Sequence, residues 1–221
     1  MQVVMNSTTD HETYWTLRLF AILQEMASQR TNAVLELVGN VDHLESEHSY
    51  PEKSLFFAAD RWRAFYHCHE SRSLHPDEHG HFHIFTATGD QGWAHVAGLS
   101  IDTMGQPLQW FTVNRWVTDG PWLEQDKFPV QLKDAAHDNE EDSLTGRWLL
   151  ALLQVYRETL SALLINRDEQ IQLFSKERSR VETLDDRDIY SLATHPIELQ
   201  SMLESHLPPL LNEENPVCTG I

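Results

Sequence analysis

Residues 61–69, RWRAFYHCH, and residues 79–87, HGHFHIFTA, are the two runs on which the fold of this chain turns. Six of the thirteen histidines fall between His67 and His83. Both runs are rich in aromatic and β-branched residues, and a polar segment, 70–78, separates them. That pattern predicts two strands joined by a loop. A strand sends alternate side chains to one face, so His79, His81 and His83 share a side. If the loop places residues of equal parity opposite each other, His67 and His69 join them. A helix would scatter the same residues around its circumference. The opposite face then reads Tyr66, Cys68, Phe82, Ile84 and Val96, apolar as a packing face should be. Cys68, alternating away from the histidines, is expected to be a buried filler.

Working outward, 93–101 (WAHVAGLSI) and 108–117 (LQWFTVNRWV) have the same strand character, with turn-like 88–92 and 102–107 between the runs. Four strands with short connections predict an antiparallel meander. Helical periodicity flanks it. Trp15, Leu19, Ile22 and Met26 make one apolar face within 10–27, with Thr9 and Glu12 as a capping box. A short helix over 32–38 ends before Gly39, and 40–53 reads as loop. Segment 119–142 also reads as loop. A helix over 147–165 carries Leu149, Leu153, Tyr156, Leu160 and Leu163, with Asn166 as its cap. Charged 169–187 has no clear assignment, and a last helix over 196–206 is signalled by Pro196 in its first turn and Pro208-Pro209 as a stop. The expected architecture is α+β: a single domain over 1–221, helical at 10–38 and 145–207, around a β unit at 61–118 of about four or more strands.

Composition bounds the partners. The 221 residues carry a formal charge of −18, and no basic run offsets it, so no nucleic acid and no anionic membrane is expected as a partner. Residues 1–10 lack the basic start and apolar core of a signal peptide. The longest apolar run, 149–165, is broken by Gln154, Arg157 and Glu158, short of a membrane span. Two cysteines, Cys68 and Cys218, build no disulfide framework, so a cytoplasmic location is expected. Oligomeric state is not set by any of these features.

A strand face carrying several neutral imidazoles beside a carboxylate is a natural divalent-metal site. The candidate ligands are His67, His69, Glu78, His81 and His83. Two histidines with Glu78 would form the facial arrangement of a non-haem Fe(II) centre, and three histidines would suit zinc, iron or manganese. Fe(II) is the first expectation, with Zn(II) or Mn(II) next. His79 and His95 are candidates for proton transfer, His95 lying opposite or diagonal to His83. Asn114 shares parity with Thr112 and reaches the site if the turn at 102–107 sets the register that way. Arg115 can clamp a carboxylate or phosphate, although a salt bridge to one of the many acids competes for it. His11, His43, His48, His137, His195 and His206 read as ordinary isolated histidines. The expected function is a metal-dependent enzyme acting on a small molecule, an Fe(II) oxygenase or a hydrolase, lyase or isomerase that activates water. The alternatives are a non-catalytic metal- or small-molecule-binding protein and a protein whose histidines serve only its interior.

Several ordered blocks carry a family resemblance: FYHCH at 65–69, EHGHFH at 78–83, His95 within AHVAGLSID, GQP at 105–107 and FTVNRWVT at 111–118. Trp148 with its helix, Arg167-Asp168, and Asp186-Arg187 before Ser191 continue the match. The chain resembles an uncharacterised bacterial family of "domain of unknown function" proteins, from its first helix to about Ser191. It departs from that pattern in lacking an extended aromatic run before the first His-x-His and in having Val113 in place of Thr. Neither departure touches a candidate ligand. The resemblance implies no activity, cofactor or substrate.

Overall fold

A computed structural model describes residues 8–40, 44–69, 74–135 and 140–206. Six strands form one antiparallel sheet in chain order: β1 (Tyr50–Phe57), β2 (Trp62–His67), β3 (Gly80–Ala87), β4 (Trp93–Ile101), β5 (Pro107–Val113) and β6 (Ser191–Pro196). Among the described residues eight α-helices accompany it: α1 (Thr8–Ser28), α2 (Ala33–Val38), α3 (Arg115–Thr118), α4 (Phe128–Asp134), α5 (Leu144–Val155), α6 (Arg157–Phe174), α7 (Arg180–Leu184) and α8 (Leu199–His206). The α+β architecture and the meander are as the sequence predicts.

The β unit is wider than expected at both edges. β1 includes residues 50–53, which read as loop because YPEKSLFF has no clean alternation. An edge strand with one partner needs none, and it tolerates Pro51 and charged residues. β6 pairs with β5, Phe111 opposite Thr194 and Thr112 opposite Ala193. The helix expected from Pro196 accordingly begins at Leu199. The fourth expected strand stops at Val113 rather than residue 117, because the Asn114 side chain accepts from Arg115 N and caps α3. The expected loop 119–142 contains α4, with Pro129 in its first turn and Phe128 and Leu132 buried.

The helix expected over 147–165 is two helices, α5 and α6, bent by 75° at Tyr156, and α6 continues past Asn166 to Phe174. The Tyr156 ring meets Trp110 of β5 at 6.2 Å between centroids, so the turn carries α6 along the β5–β6 side of the sheet. No single helix among the described residues is long and apolar enough to cross a membrane. The apolar character of α5 has another cause: its residues from Leu144 to Gln154 are buried apart from Arg147.

The core explains which sheet face is left for chemistry. Trp15, Leu19, Ile22 and Met26 of α1 pack with Trp148, Leu149, Leu152 and Leu153 of α5, and against Trp62, Ala64, Tyr66, Phe82, Ile84, Leu99 and Trp110 of the sheet. The α5 N-terminus is fixed by α2, whose Glu36 carboxylate accepts from Leu144 N at 2.9 Å and Thr145 N at 2.5 Å. An acidic group there both satisfies free amides and suits the helix dipole. Helices α1, α2 and α5 thus cover one face of the sheet, the face of Tyr66 and Phe82. The histidines lie on the other.

Candidate metal centre

Pairing between β2 and β3 puts His67 opposite His81 and Phe65 opposite His83. Across β3 and β4, His81 faces Ser100 and His83 faces Gly98. Then β4 carries a bulge: Ile84 pairs with Ala97, but Phe85 pairs with His95, leaving Val96 as the extra residue. A bulge of one residue reverses the parity of a strand. Strict alternation back from Ser100 and Gly98 would put His95 in the core; the bulge returns it to the histidine face and buries Val96 instead.

His67, His81 and His83 each offer a ligand atom within 4.8 Å of the other two. His67 Nε2 and His81 Nε2 lie 2.8 Å apart, and the His81 and His83 rings are 5.0 Å apart between centroids. The Glu78 carboxylate accepts from His81 Nδ1 at 2.7 Å and from the Ser100 hydroxyl at 2.5 Å. With its Nδ1 so engaged, His81 presents Nε2 as an acceptor, here toward His67 Nε2, the tautomer that a metal requires. Gln109 Nε2 donates to the Leu74 carbonyl at 3.1 Å and lies 3.5 Å from Ser100 Oγ. His83 Nδ1 lies 3.0 Å from His95 Nε2.

Packing holds His67, His83 and His95 neutral. Burial, then the neighbouring His81 and His69, bring His67 down to about 3 from 6.5. His83 is held well below its ordinary value, chiefly by burial, then by His81 and His95. His95 is brought down to about 3 by burial, then by the Arg167 guanidinium and His81. Neutral imidazoles clustered within reach of one another are the form in which histidine ligates. The group of three can hold a metal ion. His81, His83 and His95 are buried while His67 is half-exposed, so the group meets solvent from the β2 side.

Phe111 and Gly98 shape the floor. A Cβ on Gly98 would sit 2.0 Å from Phe111 Cζ, so only glycine leaves room for this ring. Phe111 in turn lies edge-on to His81, 5.1 Å between centroids, and 6.0 Å from His83.

The remaining expected residues are placed differently. His69 lies 4.4 Å from His67 between ring centroids, but its Nδ1 engages Glu47 Oε1 at 2.5 Å. Glu78 stands behind His81 and is not one of the three clustered groups. His79 does not follow the alternation, because β3 begins at Gly80. It turns to Tyr66, whose hydroxyl hydrogen-bonds His79 Nδ1 at 2.8 Å. Asn114 is buried away from the site: its amide donates to the Thr183 carbonyl at 2.8 Å and the Asp186 carbonyl at 3.3 Å. Arg115 pairs with Asp185, with Nε at 3.2 Å. Cys68 is half-buried rather than a buried filler, and its thiol lies 3.9 Å from the Glu45 carbonyl. His43, His137 and Cys218 lie outside the described residues. Ser100, Gln109 and Phe111 were not among the expected site residues. The alternation 109, 111 would have marked two of them, but only relative to a register that the bulge shifts.

A family model described as "Domain of unknown function (DUF6969)" matches residues 15–197. No curated protein and no solved structure matches the chain.

Proposed function

The chain belongs to the DUF6969 family, whose description carries no activity, and from its own residues we propose that it is a metal-dependent enzyme acting on a small molecule. The observation that carries this is the group His67, His81 and His83, with His67 and His83 held neutral by burial and Glu78 fixing the tautomer of His81. Three protein ligands leave positions for water and substrate, the coordination habit of catalytic rather than structural sites. Three neutral imidazoles also leave the full charge on the ion, which favours acidification of a bound water. Glu78, which an Fe(II) facial triad would need as a ligand, is engaged with His81 and Ser100. We therefore favour Zn(II) and water-activating chemistry, a hydrolase, lyase or isomerase, over an oxygen-using Fe(II) enzyme. Two cysteines and a charge of −18 support a cytoplasmic setting and a substrate other than nucleic acid.

The test is metal content of protein purified without a nickel column, for the wild type and for His81→Ala. About one ion per chain is expected in the wild type, and loss of it in a variant with unchanged circular dichroism. Added metal at about 100 times its Kd should raise stability by about 2.7 kcal/mol. No stoichiometric metal, with no rise in Tm on adding Zn(II), Fe(II) or Mn(II), overturns the proposal.

One observation favours a non-catalytic binder instead. The His69 ring lies 4.4 Å from His67 and 5.3 Å from His81, and a fourth imidazole would close the shell. His69→Ala separates the two readings: an enzyme keeps its metal, whereas a closed four-histidine site loses it.

A further inference from the structure

Arg63 of β2 shares the histidine face, four residues from His67 and in register with Phe85 of β3 and Phe56 of β1. Its guanidinium carbon lies 4.7 Å above the Phe85 ring and 5.2 Å from the Trp93 ring. Phe85 in turn lies 6.4 Å from His83 and 5.3 Å from His95, between ring centroids. One aromatic ring therefore separates the guanidinium from the metal-ligating group. The Phe56 and Trp93 rings, from strands three apart in the sheet, meet at 5.7 Å. Strands lie about 4.8 Å apart, so these two side chains reach toward each other over β2 and β3, and with Phe65 and Phe85 they form an aromatic cluster beside Arg63 and the histidines.

Charge makes Arg63 unusual. Acids outnumber bases 34 to 16 in this chain, and Arg61, Arg115, Arg147, Arg157, Arg167, Arg178 and Arg180 all have carboxylate partners. Arg63 has none among the described residues; Arg30 and Arg187 share that lack but are exposed, whereas the Arg63 Nε is buried without a hydrogen-bond acceptor. If the side chain served only to cover the aromatic rings, an apolar residue would do so without leaving a buried donor unsatisfied. Stacking on two rings instead holds the planar fork in one orientation, which lowers the entropy lost when an oxyanion docks.

We propose that Arg63 is the anion-receiving residue of this site: the substrate carries a carboxylate or phosphate group that docks on Arg63 while its reacting end lies at the histidines. The inference rests on the metal-enzyme reading for the second half of that statement, and on Arg63 alone for the first. A bidentate pair between guanidinium and oxyanion accounts for the binding. The neighbouring aromatic rings suit an unsaturated or ring-bearing body between the two ends.

The probes are benzoate and phenylphosphate, with neutral benzamide as control, titrated calorimetrically into the full chain with Zn(II) and again with chelator. Arg63→Gln and Arg63→Lys are compared with wild type, each checked by circular dichroism. The wild type should bind at least one of the two anions and not benzamide, with chelator present or absent. Affinity should fall by about tenfold or more in Arg63→Gln and recover in part in Arg63→Lys, as expected for a charged hydrogen bond. The stronger anion tells carboxylate from phosphate. No anion binding by the wild type, or equal binding by Arg63→Gln, overturns the assignment of Arg63. Zn(II) uptake is measured separately on the same variants: anion binding without Zn(II) uptake sinks the metal reading and keeps this one.

Discussion

Replacing His95 by Gln isolates what it costs this fold to keep a buried imidazole neutral. His95 Nε2 lies 3.0 Å from His83 Nδ1, and burial, then Arg167 and His81, hold its pKa at about 3 against 6.5. Between those two values the unfolded chain binds a proton that the folded chain does not. Stability therefore rises with pH through that window and is lost as the pH falls below about 6.5. Between pH 7 and pH 5 the linkage relation assigns about 2 kcal/mol of lost stability to this one residue. Glutamine keeps a polar amide at the position but cannot titrate. The assay is urea unfolding of chelator-treated wild type and His95→Gln at pH 7, 6 and 5. Carboxylates and the remaining histidines titrate in both proteins, so they cancel in the comparison to first order. The wild type should lose about 2 kcal/mol more than the variant across that interval, with no difference in slope above pH 7. Parallel curves would show that His95 is not held neutral by its surroundings, and the account of the cluster as a set of ready ligands would fail with it.

Other substitutions probe the rest of the structure. Glu78→Gln removes the carboxylate that orients His81 and should weaken Zn(II) binding by about 10–100-fold, measured by competition with a chromogenic chelator, with little change in Tm. Gly98→Ala places a methyl group 2.0 Å from Phe111 Cζ; overpacking should cost about 1–3 kcal/mol in urea unfolding. Asn114→Ala removes the α3 cap and the link to Thr183, costing about 2 kcal/mol while leaving Zn(II) uptake unchanged.

Much of the architecture was legible because the two faces of β2 and β3 differ in chemistry, apolar on one side and rich in histidine on the other, although both faces of β3 are buried. The pattern of β2 and β3 required a hairpin with histidines on one side, and α1 declared its core face through Trp15, Leu19, Ile22 and Met26. What escaped was the periphery. β1 and β6 are edge strands whose patterns are set by a single neighbour, and Pro51 and Pro196 read more naturally as punctuation. The α5–α6 bend was invisible for a different reason. Leu149 through Leu163 keep a continuous apolar periodicity, and Tyr156 signals no break that a sequence reader could identify.

The same division runs through the site. Alternation by itself determined that His81 and His83 share a face, and likewise His67 and His69, since side-chain parity along a strand is a property of the backbone; the register of β2 on β3 then set His67 opposite His81. It also made a cluster of neutral imidazoles the natural expectation. Tertiary structure decided the rest. It brought His95 to the group through the bulge at Val96, because one extra residue reverses parity without leaving a mark in composition. It ended β5 at Asn114 and sent that amide to α7, since a cap competes with the ladder for the same backbone amides. It turned His79 toward Tyr66 and set Glu78 behind His81. Which residues of a histidine-rich strand become ligands depends on where the strand begins, and that boundary is fixed by its neighbours.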